Sequence, residues 1–337
     1  MDKMQTVPID SVIPYEFNNR NHSEIQVNRI ANSIKEFGFN LELGFLEDHD
    51  FDLKEWGLDE LQELFDPEEA AAEEDDPVDC ENDETFIQLG DVIQLNQHWL
   101  YCADAQKFRD FDKNVFDLLL TDPPYGVAYV GKTEDELTLE NDDLDADEIR
   151  ALWDDTLSAI WHSLKDGASI YATVPAGPLK QVFAECLAQR GALRQELVWL
   201  KDSMVLGRSD YHYKHEPILY GWKSGAAHYF TNDRTKTSIL EFARPKASTE
   251  HPTMKPVALW AELIVNSTKK GAKVLDPFMG SGTTIIACDQ TGRKATGIEI
   301  DPKYCHVIIE RFKKHCDKTK QEFNCTVNGN TFSPSEV

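Results

Sequence analysis

The sequence predicts an α/β fold in which a mainly parallel β-sheet carries helices on both faces. Three observations support this prediction. Apolar runs of strand length recur from Phe86 onward, amphipathic stretches of helix length separate them, and two of the runs end in loops rich in proline or glycine. A chain of 337 residues is long enough for one large domain of this kind together with additional segments.

The predicted strands and helices alternate along the chain, as they do in an open sheet with crossover helices. The first two strands are close in sequence, and Asn96-Gln97-His98 forms the turn between them. A largely apolar strand at 116–121 is expected to be buried on both faces of the sheet. The other predicted strands are 92–95, 99–102, 169–174, 193–200, 273–275 and 295–299, and helices are predicted at 149–164 and 179–189 and from Thr283 and Pro302 onward.

Residues 1–40 combine apolar residues at strand-like spacing with a helix predicted from about Ser23 to Phe37. Pro14-Tyr15, Asn19-Arg20, Ser33-Ile34 and Phe37-Gly38-Phe39 resemble the opening of the ParB/sulfiredoxin-like nuclease fold. The later strand and arginine-containing segment of that family are missing from this sequence. We therefore interpret 1–40 as a truncated segment, either a relic or a docking arm.

The net charge of −26 is concentrated in two segments. Between residues 47 and 84 nineteen acidic side chains face only Lys54, and between 134 and 148 nine acidic side chains face no basic one. The rest of the chain is close to neutral, so this acidity does not argue against binding of nucleic acid elsewhere. Residues 41–85 are interpreted as an acidic linker, with a short amphipathic helix predicted at 53–65 and disorder predicted at 66–84.

Several classes of protein are excluded or disfavoured by composition. The chain lacks an apolar run of 18 residues and an apolar stretch behind its N-terminus, so we predict neither a membrane span nor secretion. Its seven cysteines are scattered without metal-ligand spacing, which favours reduced thiols, no metal and a cytoplasmic location, in a bacterium or a phage-infected cell.

The first motif that indicates chemistry is Asp122-Pro123-Pro124-Tyr125, directly after the buried strand that ends at Thr121. Ligands of open α/β sheets bind beyond the carboxyl ends of the strands, so this loop lies where chemistry is expected. The Asp122 carboxylate and the Pro123 carbonyl can accept both N–H bonds of an exocyclic base amine, whose lone pair is otherwise delocalised. Tyr125 offers a ring on which an extruded base can stack.

The second motif runs from Asp276 through Gly280-Ser281-Gly282 into a helix that begins at Thr283. Its glycines allow close approach of a ligand, and a helix N-terminus favours a carboxylate. The dinucleotide-binding pattern fails at Ile285, whereas Glu299 is placed to hold ribose hydroxyls. A nucleoside with an amino-acid tail and no pyrophosphate fits these features, which describes S-adenosylmethionine.

Together the two motifs resemble those of the amino-group DNA methyltransferases, in the permuted order of the β class. The resemblance covers about residues 86–318, and it implies a circularly permuted, Rossmann-like class I methyltransferase domain at 86–320 followed by a tail at 321–337. His251-Pro252-Thr253-Met254-Lys255-Pro256 is similar to a segment that this family places before the cofactor strand. The resemblance and the motifs predict as cofactor-binding residues Asp104, Thr253, Lys255, Asp276, Pro277, Phe278, Gly280, Ser281, Gly282, Thr283, Thr284 and Glu299.

Residues 193–256 combine basic and aromatic side chains and lie where the family has its target-recognition region. Basic residues bind phosphates, and aromatic rings stack on bases or wedge between them. The candidate DNA contacts are Lys201, Arg208, Tyr211, Tyr213 and Lys214. Residues 126–133 match a phosphate-binding loop by letter, but Glu134-Asp135-Glu136 would repel a triphosphate, so we expect a loop that closes over the extruded base.

The expected function is therefore site-specific methylation of adenine N6 in double-stranded DNA, with S-adenosylmethionine as cofactor and no metal. Asp at position 122 favours adenine over cytosine N4 by resemblance to the family. The alternatives are cytosine N4 methylation, methylation of RNA or protein, and a DNA-binding or partitioning module with an inactive methylase domain. A homodimer, a restriction–modification role and a phage or prophage origin are further expectations.

Overall fold

The computed structural model describes residues 72–75, 85–125, 145–204, 210–233, 235–244 and 254–332. The ParB-like segment, the helix predicted at 53–65 and the loop at 126–133 lie outside these residues. The same holds for the predicted site residues Arg208 and Thr253.

Within the described residues, eleven strands form one mixed sheet in the order β11-β10-β1-β2-β9-β8-β3-β4-β6-β5-β7. Its central strands, β2, β9, β8, β3 and β4, are parallel, and the strands on both sides of this group join it through antiparallel pairs. The predicted α/β fold is confirmed, and its parallel character belongs to the centre of the sheet. The strands are β1 (Val92–Leu95), β2 (His98–Cys102), β3 (Phe116–Thr121), β4 (Leu164–Thr173), β5 (Leu193–Leu200), β6 (His215–Trp222), β7 (Ile239–Glu241), β8 (Lys273–Asp276), β9 (Lys294–Glu299), β10 (Cys325–Val327) and β11 (Asn330–Thr331).

Helices cover both faces of this sheet. Buried residues of α1 and α2 share one apolar cluster with β3 and β4, and those of α3, α4 and α5 share a second cluster with β1 and β2. The parallel strands are therefore buried on both sides, which explains their nearly continuous apolar sequences. The helices are α1 (Ala146–Ile160), α2 (Lys180–Gln189), α3 (Val257–Ser267), α4 (Thr283–Gln290) and α5 (Pro302–Thr319).

The boundaries of α1 differ from the prediction of 149–164. Asp145 accepts hydrogen bonds from the backbone N–H groups of Asp147 and Glu148, and the Glu148 carboxylate accepts one from the Asp145 N–H. This capping box starts the helix three residues earlier than its first buried apolar residue, Ile149. A 3₁₀ turn follows α1, and β4 starts at Leu164 rather than at 169.

Four residues of the acidic linker are fixed against the domain, so the expectation of disorder over 66–84 is wrong at 72–75. The Glu74 carboxylate accepts hydrogen bonds of 3.0 Å from the N–H groups of Val257 and Ala258, in the first turn of α3. The Asp75 carboxylate forms two 2.6 Å bonds with the guanidinium of Arg311, whose side chain is buried on α5. These contacts give the segment a helix N-terminus and a buried guanidinium as partners, which a solvated tether lacks.

No helix in the described part of the chain has the length and apolar character to cross a membrane. Across the same residues, His, Cys, Asp and Glu side chains form no group of three or more that could hold a metal ion. The six cysteines that the structure describes are buried and free of disulfide bonds.

Candidate active site

The two predicted motifs meet at the carboxyl ends of neighbouring parallel strands. The strand β3 pairs with β8, so the loop that follows Thr121 lies beside the loop that follows Asp276. The Thr121 hydroxyl donates a 2.7 Å hydrogen bond to the Asp276 carboxylate and joins the two loops directly. Residues 122–125 and 276–284 therefore belong to one site.

The glycine turn has the backbone shape that only glycine adopts without strain. Gly280 and Gly282 have φ angles of +54° and +85°. A Cβ added to Gly280 would meet nothing within 4 Å, so the space in front of this residue is open to a ligand. Behind Gly282, Ile308 is close enough to leave little room for a Cβ. The turn is thus packed from one side and accessible at Gly280, as a site for a close-fitting ligand requires.

Two buried carboxylates support this turn. Asp276 accepts hydrogen bonds from the Thr121 and Thr284 hydroxyls and from the Phe278 N–H. Glu299 accepts one from the Gly280 N–H at 2.8 Å and one from the Asp301 N–H. Burial raises the pKa of each carboxyl group to about 7, although these donors act in the opposite direction.

Asp104 lies beside Glu299 at the same edge of the sheet. The strands β2 and β9 are parallel with Cys102 opposite Glu299, and the Ala103 N–H donates to the Glu299 carbonyl. The Asp104 carboxylate accepts from the Gln106 N–H and pairs with Lys107 at 2.7 Å. Two acids therefore follow adjacent strand ends, as expected where a nucleoside is held.

Asp122 is the first residue of the predicted catalytic motif and is bound by three neighbours. Its Oδ1 atom accepts hydrogen bonds from the Thr173 hydroxyl, at the end of β4, and from the Tyr125 phenol at 2.8 Å. Its Oδ2 atom lies 2.8 Å from Lys255 Nζ. A carboxylate offers about four acceptor positions, so one remains for a substrate N–H.

Lys255 connects this carboxylate to Glu216, a buried acid at the start of β6 that the sequence analysis did not single out. Lys255 Nζ lies 2.7 Å from Glu216 Oε1, and Lys201 Nζ lies 2.9 Å from Glu216 Oε2. Burial alone would raise the pKa of Glu216, but the two lysines lower it to about 2. Burial likewise disfavours charge on Lys255, yet Asp122 and Glu216 raise its pKa.

The ring of Tyr125 is half-buried and packs edge-on against Phe183 of α2. Its hydroxyl is within hydrogen-bond distance of both Asp122 and Glu216, at 2.8 and 2.9 Å, and Lys255 lies over its ring. Burial, together with both carboxylates, raises the pKa of this phenol well above its ordinary value. Tyr125 is therefore a neutral hydrogen-bond donor in this site.

The candidate DNA contacts divide into two groups. Lys201, at the end of β5, lies inside the cluster because it pairs with the buried Glu216. Tyr211, Tyr213 and Lys214 are exposed in the connection between β5 and β6, and the Tyr211 side chain is 89% exposed. The described ends of this connection lie next to the Lys201–Glu216 pair, and Glu216 in turn contacts Tyr125.

Sequence reasoning missed Glu216 for an identifiable reason. It precedes Pro217, and a proline within an apolar run argues against a strand, so β6 was not predicted. Glu216 lies in the region 193–256, which the sequence analysis described only by its basic and aromatic side chains. The available signal was a lone acid beside apolar Ile218-Leu219-Tyr220, which is the kind of charge that needs a buried partner.

Comparison with known proteins agrees with this geometry. The profile of a family described as DNA methylase, the N6/N4 methyltransferases, matches residues 116–310, which is more than half of the chain. The chain belongs to this DNA methylase family. The matched range contains the catalytic loop, Lys255 and the glycine turn.

Individual relatives have low sequence identity to this chain, but the alignments cover more than half of it. The type II methyltransferase M.HpaI of Haemophilus parainfluenzae is 28% identical over 236 residues, which cover 63% of this chain and 73% of the relative. The DNA adenine methyltransferase YhdJ of Escherichia coli (strain K12) is 29% identical over 230 residues, with coverage of 58% and 75%. The solved structure of the PvuII DNA methyltransferase (cytosine-N4-specific) aligns with a TM-score of 0.52 and 17% identity over 66% of this chain and 91% of that chain, which shows a shared fold.

Proposed function

We propose that this chain is an S-adenosylmethionine-dependent DNA methyltransferase that methylates the N6 amino group of adenine. The observation that carries the proposal is the Thr121–Asp276 hydrogen bond, which joins the loop suited to an aromatic amine to the loop suited to the cofactor. The name of the relative YhdJ specifies adenine, and the family specifies DNA.

The cofactor supplies an electrophilic methyl group when it is bound. The open space at Gly280 suits its backbone approach, the N-terminus of α4 suits its carboxylate, and Glu299 and Asp104 suit its nucleoside. The Glu299 carboxylate also accepts from the Gly280 N–H, so one residue would shape the turn and hold the ribose hydroxyls. Thr253 would act with Lys255 at the methionine end by resemblance.

The residues of the catalytic loop bind and orient the amine. One base leaves the stack of the DNA duplex at a cost of a few kcal/mol, and Tyr125 offers this base a stacking surface. Asp122 and the Pro123 carbonyl accept its two N–H bonds and draw the nitrogen towards a tetrahedral geometry in which its lone pair can react. Pro124 keeps the loop rigid and removes a competing donor. The methylated nitrogen is cationic, and its excess proton then passes to solvent water.

Cytosine N4 is the second candidate because its amine presents the same two N–H bonds, and the PvuII enzyme of the same fold is named for it. Incubation of the protein with labelled S-adenosylmethionine and DNA from a methylation-free host, followed by mass spectrometry of the nucleosides, separates the two. We expect N6-methyladenine. Label in N4-methylcytosine would transfer the proposal to that base, and absence of label from DNA would contradict it.

Asp122→Asn tests the role of the catalytic carboxylate with little change of shape. We expect methyl transfer to fall by at least about 100-fold, because a charged acceptor is lost, while the dissociation constant of S-adenosylmethionine stays within about threefold. Isothermal titration and single-turnover kinetics measure the two quantities. Full activity in this variant would contradict the assignment of Asp122.

A further inference from the structure

Glu216 is a buried carboxylate that no step of the proposed mechanism uses. It lies on β6, its residue is 8% exposed, and it contacts Lys255, Lys201 and the hydroxyl of Tyr125. Two ammonium groups and the phenol oxygen of Tyr125 surround this buried acid, so its contacts define its position closely. Two of these three partners also touch the catalytic carboxylate, Asp122, or belong to its loop.

The charges of the four ionised groups in this cluster sum to zero. Asp122 and Glu216 carry two negative charges, and Lys255 and Lys201 carry two positive ones, within one chain of contacts of 2.7 to 2.9 Å. Without Glu216 two lysines would remain against a single carboxylate. The net positive charge would then lie beside the position of the substrate amine, because Lys255 is bound directly to Asp122.

This net charge affects the reaction because it is positive and lies close to the substrate amine. As a methyl group is transferred to an amine, positive charge develops on the nitrogen, and a nearby uncompensated ammonium opposes it. Lys255 would also pair with Asp122 alone and weaken that carboxylate as an acceptor for the amine. At a separation of about 6 Å and a dielectric constant of about 20, repulsion between one unit charge and a full positive charge on the nitrogen lowers the rate by about 100-fold.

We propose that Glu216 is a positioning residue for methyl transfer, which acts through Lys255 and Tyr125 to keep the surroundings of Asp122 electrically neutral and the Tyr125 hydroxyl in place. This inference rests on the proposed function of the site. It assigns Glu216 a role in the turnover step and not in retention of the cofactor.

The test compares three variants of the full-length chain. In Glu216→Gln we expect kcat to fall by about 100-fold while the dissociation constant of S-adenosylmethionine and the KM for DNA change less than threefold. Adding Lys201→Gln restores the balance of charge. The kcat of the double variant should therefore be at least tenfold higher than that of Glu216→Gln alone. Glu196→Gln, on β5 in an exposed pair with Lys180, makes the same chemical change outside the cluster and should stay within twofold of wild type.

A double variant no more active than Glu216→Gln would overturn the inference, since the charge balance would then be restored without any recovery of turnover. Glu216→Gln with wild-type kcat would overturn it as well. If Glu216→Gln does not fold, the double variant decides alone: kcat within tenfold of wild type supports the inference, and a larger loss contradicts it. Failure of the wild-type protein to methylate DNA would instead contradict the proposed function.

Discussion

Asp276 shows how a single buried group ties the stability of this site to pH. Its pKa is about 7 because burial raises it, so the folded protein holds the proton over a range in which the unfolded chain releases it. Below pH 4 both states are protonated and there is no cost. As pH rises from about 4 to 7 the folded protein progressively loses stability relative to the unfolded chain, and above 7 the cost is constant.

Asp276→Asn should remove the part of the pH dependence that Asp276 contributes, whereas Glu299, whose pKa burial also raises to about 7, keeps its own part. An amide oxygen can still accept from the Phe278 N–H and the Thr121 hydroxyl, and the amide NH₂ group can face the Thr284 hydroxyl. The free energy of unfolding of the variant, relative to wild type, should therefore rise between pH 5 and pH 8 by a few kcal/mol at most. Denaturant unfolding of the protein without cofactor at both pH values measures it. Parallel pH profiles of the two proteins would show that Asp276 does not carry this cost.

The site residues themselves were foreseeable from the sequence to different degrees. Asp122 and Gly280 lie in short motifs whose spacing is local, so their neighbourhood could be inferred before any fold was known. The pairing of Glu216 with Lys201 and Lys255 depends on β6 lying between β4 and β5, and no local pattern encodes that order. Ion pairs of this kind can be located only when the order of the strands in the sheet is known.

At the level of elements, regular amphipathic or apolar segments were predicted and irregular ones were missed. The strands β3, β8 and β9 have the apolar runs of a parallel sheet and agree with their predicted bounds to within a residue. The helix α3 is buried on nearly all sides and has no polar stripe, so no helical period distinguishes it from an apolar strand. In β6, which was not predicted, a Cβ on Gly221 would overlap the carbonyl oxygen of Ala192, so a glycine is needed at this position of the strand.

We expect Asp75, in the linker segment at 72–75, to stabilise the domain through its ion pair with Arg311. Asp75→Asn leaves the guanidinium of Arg311 buried without its partner, and breaking such a pair costs about 3–5 kcal/mol. Arg311 also donates to the Ser281 carbonyl and the Thr283 hydroxyl at the cofactor loop, so affinity for S-adenosylmethionine should fall too. Thermal unfolding and isothermal titration measure the two effects.

The same segment provides the control. Glu73→Gln removes an acid that is 82% exposed and pairs with Lys318 at 3.4 Å, and pairs of this kind contribute at most about 1 kcal/mol. Its melting temperature should match that of wild type. If Asp75→Asn behaved like Glu73→Gln, the segment at 72–75 would be attached without contributing to stability.

On the scale of the whole molecule, the distribution of charge matters more for DNA than its total. The net charge is −26, yet the family acts on a polyanion, so the acidic segments must be considered by position. The segment 134–148 begins nine residues after Tyr125, so the chain between Tyr125 and Glu134 spans at most about 30 Å. Repulsion of DNA phosphates is screened over about 10 Å at 0.1 M salt, so only acids near the bound DNA affect binding.

Neutralising Glu134, Asp135 and Glu136 as amides should therefore raise DNA affinity several-fold at low salt, with the gain shrinking as salt increases. Neutralising Glu60, Glu63 and Asp66 in the linker changes the net charge by the same three units and should have a smaller effect. Fluorescence anisotropy with one duplex at 50 and 200 mM salt compares both variants with wild type. Equal gains in the two variants would mean that total charge, and not the acids close in sequence to Tyr125, sets the affinity for DNA.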